Sequence, residues 1–265
     1  MEAQPVTPYL ISDENTGIYE SLRTYNGVIF RIDEHLGRFF ASAHTLGLKI
    51  PETRQSLKEK LYQAFRDSGK SEAFLRLTLI DREIFVIVTE RKHPVEIYKR
   101  GVSLKTSTVR RNPSQAGFPE AKSTSCLNQV LGSLDPAPPQ NYEILFLNSE
   151  GYLTEARIGN LFLAARGRLQ TPPLHGLLHG ETRRFVIECA HAGKIPVEEK
   201  PLMRHELFNA DEAFLTNTSW EILPIREVDG RRIGEALPGK ITRKLQSLFR
   251  KSVSREIKRQ KHRNP

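Results

Sequence analysis

At 265 residues, with 38% apolar and 27% charged side chains, the chain has the size and composition of a soluble protein of one large or two modest domains. No apolar run approaches the roughly 18 residues that span a bilayer, MEAQPVTPYL lacks the basic and apolar regions of a secretory signal, and Cys126 and Cys189 form neither a disulfide framework nor a zinc site. The cytoplasm is the expected location, and no metal is expected. The net charge of +9 is local: from Arg250 onward seven Lys or Arg stand against one Glu, a surplus of six that leaves +3 for the rest. That reads as a solvated basic tail, and nucleic acid is not the expected partner, since the placement of charge matters more than its total.

In chain order, Gly17 to Tyr25 alternates as a strand, and Asn26-Gly27 turns it into Val28-Ile29-Phe30-Arg31. Asp33 is the expected cap of a helix from Glu34 to Leu46, whose apolar positions Leu36, Phe39, Phe40, Ala43 and Leu46 share one face. A second helix, Arg54 to Asp67, stops at Ser68-Gly69, and alternating strands Ala73 to Leu79 and Ile84 to Thr89 complete a small α+β unit. Val102 to Val109 is a strand. The aperiodic stretch after it, with Pro113, Gly117 and Pro119, marks a domain connection, so the expected division is 1–112, a linker 113–120, a second domain 121–252 and a frayed basic tail 253–265.

Lys122 stands at a strand end that gives way to a helix with Leu127, Val130 and Leu131. Glu143 to Leu147 and Tyr152 to Glu155 form a hairpin around Ser149-Glu150-Gly151, which sets a single acid, Glu155, near a strand end. Leu161 to Ala164 and Leu169 to Thr171 form another, stopped by Pro172-Pro173. A loop from Gly176 to Gly180 then opens a helix at Glu181-Thr182 that runs to Ala192. A glycine, unpaired N–H groups and a threonine hydroxyl at a helix start make a phosphate cradle, although many such starts only cap themselves. Val197 to Lys200 is a strand, Arg204 to Asn209 a short helix, Asp211 to Ile225 a strand, loop and strand, Val228 to Gly234 a hairpin, and Lys240 to Ser252 the terminal helix.

Taken together, the strand acid Glu155 with Asn160 and its apolar run, Thr171-Pro172-Pro173, Gly180-Glu181-Thr182-Arg183 and the helix phrase RIDEHLGRFFASA resemble the core signature of the class IV aminotransferases. These are the fold-type IV enzymes that use pyridoxal 5′-phosphate, and they include branched-chain and D-amino-acid aminotransferases and aminodeoxychorismate lyases. The resemblance covers about Gly17 to Phe249. It implies a two-domain α+β (α/β) fold with a small N-terminal domain and a larger, barrel-like C-terminal domain of mixed sheet and helices. It also implies a homodimer and, as substrates, an amino acid and a 2-oxo acid.

Residue by residue, the resemblance makes Lys122 the Schiff-base lysine. It sets Glu155 beside the pyridine nitrogen and Leu178 on the ring face, and gives the phosphate to Arg38, to the N–H groups of Glu181 and Thr182, and to the hydroxyls of Thr182 and Thr218, with Asn217 adjoining. Tyr19, Tyr25 and Arg76 fall where relatives line the substrate pocket, Arg76 where a strand arginine helps receive a carboxylate. The chemistry suits these types. A lysine amine can form an imine and then carry a proton, a carboxylate keeps the ring nitrogen protonated, and directed N–H groups and a guanidinium match a near-dianionic phosphate. The side-chain carboxylate of Glu181 would repel that phosphate and is expected to turn away.

Two departures stand out. Cys126 occupies the place where many relatives have a tyrosine, and Glu14-Asn15-Thr16-Gly17 replaces an acidic Gly-Asp-Gly turn. The paired arginine and histidine loop of the D-amino-acid enzymes is absent after the Ala73 to Leu79 strand, where Asp81-Arg82-Glu83 stands. An aminotransferase acting on a branched-chain or other apolar amino acid is the leading expectation. A lyase cleaving 4-amino-4-deoxychorismate on the same scaffold and a non-catalytic relative remain alternatives, because a fold does not fix a reaction.

Overall fold

The computed structural model describes residues 17–112, 117–125, 127–134 and 142–263; Cys126, the Glu14-Asn15-Thr16 segment and residues 113–116 of the expected linker lie outside them. The chain divides into two compact units, residues 1–91 with 120–127 and residues 92–119 with 128–265.

The first unit contains β1 (Ile18–Tyr25), β2 (Val28–Ile29), α1 (Ile32–Thr45), α2 (Arg54–Asp67), β3 (Phe74–Ile80) and β4 (Glu83–Thr89), with strand order β2-β1-β3-β4. Asn26 and Gly27 both take positive φ, 51° and 78°, the backbone that a two-residue Asn-Gly hairpin demands. Strand alternation sorts the faces. Ile18, Leu22, Leu75, Leu77 and Leu79 turn inward beneath Leu36 and Phe39 of α1 and Leu57 and Leu61 of α2, while Tyr19, Ser21 and Arg76 lie on the other face. The cap of α1 differs from expectation. The chain enters the helix through Arg31 in the left-handed region, φ 51°, so the helix begins ahead of Asp33, whose carboxylate pairs instead with Lys58 Nζ at 2.5 Å.

The expected boundary also moves. Residues 122–124 are stitched to β1 and the residue before it: the Tyr19 N–H donates to the Lys122 carbonyl at 3.0 Å, Thr124 N–H to the Gly17 carbonyl at 2.8 Å, and Ser123 bridges Ile18. The lysine segment thus belongs with the first unit, and the second unit starts near Lys92 rather than after the linker. Backbone hydrogen bonds across more than 100 residues of sequence leave no periodic trace that could have announced this.

The second unit holds α3 (Val95–Arg100), β5 (Val102–Arg110), α4 (Leu127–Ser133, all but its first residue), β6 (Glu143–Leu147), β7 (Leu153–Ala156), β8 (Asn160–Ala165), β9 (Arg168–Thr171), α5 (Glu181–Ala192), β10 (Val197–Glu199), α6 (Arg204–Phe208), β11 (Glu212–Asn217), β12 (Glu221–Val228), β13 (Arg231–Arg232) and α7 (Lys240–Arg263). Its strands run β10-β9-β8-β11-β12-β5-β6-β7, with β13 on β12. A further pairing, Glu155 of β7 opposite Asn160 of β8, closes six of them into a barrel. Leu104, Leu145, Leu161, Leu163, Leu215 and Ile225 belong to its apolar core. Phe185 of α5 meets Phe249 of α7 edge to face, centroids 4.8 Å apart. The short α3 has no fully buried side chain, although Ile97 and Tyr98 pack against the core, and it gave no periodic signal.

Residues 253–263, expected to fray, continue α7 to Arg263. Leu245, Phe249, Val253 and Ile257 recur every fourth residue, and Val253 and Ile257 are buried, so the apolar stripe runs under the basic run. Truncation after Ser252 is expected to lower the melting temperature, because each lost aliphatic contributes about 1.5–3 kcal/mol of burial. Unchanged calorimetric melting would show that these two turns contribute nothing. No helix among the described residues is long and apolar enough to cross a membrane.

Candidate active site

In the first unit, the sequence-predicted residues separate onto the two faces of β1. On the outer face, Lys122 Nζ lies 4.6 Å and Arg76 Cζ 4.1 Å from the centre of the Tyr19 ring, so one aromatic ring gathers both cations. The Lys122 N–H donates to Ser42 Oγ at 3.0 Å, and its carbonyl accepts from Tyr19, which fixes the backbone that carries the amine. Tyr25, further along β1, packs on Phe30 at 5.6 Å and under Arg23 at 5.0 Å; nothing among these contacts joins it to Lys122.

On the inner face, Arg38 donates through Nε and Nη2 to Glu20 at 2.6 and 2.8 Å, and His35 Nδ1 lies 2.8 Å from the same carboxylate. Glu20 is fully buried. Burial alone would raise its carboxyl, but the Arg38 guanidinium and His35 beside it more than reverse this and hold it far below the usual carboxylate range. A phosphate would therefore share Arg38 with Glu20 rather than hold it alone. Sequence reasoning missed Glu20 and His35. A signal existed: Glu20 occupies an inward position of an alternating strand, and His35 and Arg38, three apart, share a helix face.

In the second unit, Glu155 is buried at the barrel seam. Arg111 Nη2 lies 2.7 Å from its Oε1, Asn160 Nδ2 donates to its Oε2 at 3.0 Å, and the Leu178 N–H points at Oε1 from 3.4 Å. Asn160 also donates to the Leu178 carbonyl at 3.2 Å, so this amide ties the acid to the loop that bears Leu178. Arg111, read in sequence as part of the first domain's end, could not have been matched to an acid 44 residues away without the fold.

The N-terminus of α5 begins at Gly180, and no side chain caps it. A Cβ at Gly180 would collide with Asn160 Oδ1, so only glycine permits this approach to the amide that holds Glu155. Glu181 is drawn along the helix by Arg184, which donates from Nη2 at 2.6 Å. The hydroxyls of Thr182 and Thr218 make no hydrogen bond to any described residue. Asn217 spends both ends of its amide on the loop: Nδ2 donates to the Ile158 carbonyl at 3.0 Å, and Oδ1 accepts from the N–H groups of Ser219 and Trp220, each at 2.9 Å. These bonds shape the turn that carries Thr218.

The first unit thus holds a lysine over a tyrosine ring, and the second a buried carboxylate with a basic partner and an uncapped glycine helix start. The model of the family described as amino-transferase class IV matches residues 17–228, and the chain belongs to that family. It is 31% identical over 258 residues to the branched-chain-amino-acid aminotransferase of Pseudomonas aeruginosa, covering 90% of this chain and 84% of that protein. It is 26% identical over 251 residues to the D-alanine aminotransferase of Bacillus licheniformis, covering 91% and 88%. Among solved structures, a branched-chain amino acid aminotransferase from T.th. complexed with N-(5′-phosphopyridoxyl)-L-glutamate superposes with a TM-score of 0.84 at 26% identity, over 95% of this chain and 89% of that one.

The protein is accordingly a pyridoxal-phosphate-dependent class IV aminotransferase. The residues present fit that cofactor on three observations of their own: a helix start that no side chain closes, two threonine hydroxyls unspent among the described residues, and a buried acid already oriented by three donors.

Proposed function

We propose that this aminotransferase moves the amino group of an aliphatic, branched-chain amino acid to a 2-oxo acid, with Lys122 as the catalytic residue. The observation that carries the site assignment is the placing of Lys122 Nζ against Tyr19, beside Arg76, on a backbone pinned from both sides. The choice of amino acid leans on the names of the relatives. When bound, the cofactor supplies an electron sink for the bond broken at the substrate's Cα.

The rest falls to the chain's own groups. Lys122 anchors the cofactor aldehyde and, once released, carries a proton to and from the substrate Cα as general base and acid. Glu155, oriented by Arg111 and Asn160, holds the pyridine nitrogen in its cationic form. The N–H groups of Glu181 and Thr182, the hydroxyls of Thr182 and Thr218, and Arg38 in its shared pairing bind the phosphate. Leu178 covers the ring, and Tyr19, Tyr25 and Arg76 line the substrate end.

Glu155→Gln keeps the shape and loses the charge. It is expected to lower kcat by about 10²–10³-fold, the magnitude of losing one aimed electrostatic group, while KM changes little. A loss confined to KM would sink the role given to Glu155. The reaction itself is tested by a screen of amino donors against 2-oxo acids. Transfer from leucine, isoleucine or valine supports the reading, and pyruvate release from aminodeoxychorismate without an acceptor would favour the lyase instead.

We further take the enzyme to be a cytoplasmic homodimer. The exposed apolar residues Leu127, Val130, Leu131 and Leu134, at the spacing of one helical face, support a partner surface. Sedimentation as a monomer would remove the dimer.

A further inference from the structure

The outer face of the β1-β3-β4 sheet carries a second arginine with no part in the transfer chemistry. Arg76 lies against Tyr19, and Arg91, two residues beyond β4, lies with its Cζ 3.9 Å from the centre of the Phe74 ring. Phe74 and Arg76 are alternate residues of β3 and so share a face. Loss of solvation, and then the charge of Arg76, lower the Arg91 guanidinium from its ordinary value, so the two like charges feel one another.

Several arginines of the fold are matched with acids: Arg38 with Glu20, Arg111 with Glu155, Arg157 with Glu143, Arg183 with Glu199. Among the described residues, neither Arg76 nor Arg91 meets a carboxylate. Each instead rests on an aromatic ring, which holds a guanidinium in place without neutralising it. Two adjacent and uncompensated cations repel until an anion sits between them. The ring that carries Arg76 also carries Lys122, so an anion received here would sit within a short molecule's reach of the reacting amine. Ile87, directly opposite Arg76 on β4, is exposed and gives the same place an apolar flank.

We propose that Arg91 acts with Arg76 to receive a carboxylate on the side chain of the substrate, and that Arg91 thereby sets the preference for dicarboxylic over aliphatic 2-oxo acids as amino acceptors. This rests on the aminotransferase reading at Lys122. The planar forks of two arginines can each donate a pair of N–H groups to one carboxylate, and the aliphatic acceptor has nothing to offer them.

The test uses the full-length holoenzyme and two variants. Arg91→Ala is expected to lower the ratio of kcat/KM for 2-oxoglutarate to kcat/KM for 4-methyl-2-oxopentanoate by about 10-fold or more, the usual scale for a charge-assisted hydrogen bond. Arg91→Lys, which keeps the charge and loses the fork, should fall between. Glutarate, a dicarboxylate that cannot react, is titrated by calorimetry into the same three proteins, and its affinity should weaken in step with the ratio. An unchanged ratio, or glutarate binding equally to wild type and Arg91→Ala, overturns the proposal. Failure of the underlying reading looks different: no acceptor is turned over by the wild type, whereas the glutarate titration still reports on Arg91 by itself.

Discussion

Lys122→Ala is expected to abolish amino transfer, with kcat/KM down by at least about 10⁴-fold, since one side chain serves as both covalent anchor and proton carrier. The variant should fold. Lys122 holds its neighbours through its backbone, whose N–H reaches Ser42 and whose carbonyl accepts from Tyr19, and alanine keeps both bonds. Loss of activity with an unchanged melting profile therefore separates chemistry from stability. Borohydride reduction of the wild-type holoenzyme should fix the cofactor to the peptide containing Lys122, and the variant should retain none. An adduct mapped to another lysine, or a variant with more than about 1% of wild-type turnover, would remove Lys122 from the centre of the mechanism.

The second large effect is one of stability. Glu20→Gln leaves Arg38 and His35 facing an uncharged amide inside the first unit, and breaking a buried ion pair on one side costs about 3–5 kcal/mol. Because Arg38 is also proposed to bind the phosphate, cofactor affinity should fall with it. Pairing the change with Arg38→Met removes the stranded charge, and the double variant should recover part of the loss, which a double-mutant cycle measures.

The same carboxyl predicts a pH dependence. Its folded value is depressed below the roughly 4.3 of an unfolded glutamate. Its contribution is therefore complete above that value and is lost as pH falls through the folded one, where the carboxyl takes up a proton. Wild type should lose more stability than Glu20→Gln as pH drops from about 5 toward 3. Parallel acid unfolding curves, or a substitution costing less than about 1 kcal/mol, would mean that Glu20 is not the buried anion described.

Much of the fold could be read from local pattern. The Asn26-Gly27 hairpin, the apolar face of α1 and the strands β3 and β4 fall where alternation and helical spacing put them, because each signal is complete within a few residues. The motif around Gly180 was legible for the same reason: a glycine, a helix start and a threonine act through the backbone of one short segment. The end of α7 was misread because the density of Lys and Arg masked an apolar stripe of low frequency, with Val253 and Ile257 four residues apart beneath it.

Sequence alone therefore determined most of the elements and, through the family resemblance, the class of chemistry, both of which rest on residue type and short spacing. Only the tertiary structure decided which side chains are partners. Glu20 with Arg38 and His35, Glu155 with Arg111 and Asn160, and Lys122 with Tyr19 and Ser42 are pairings across loops and strands. A buried charge must be met by another group, but nothing in the chain's local pattern states which one, since that choice is made by strand register and closure of the barrel.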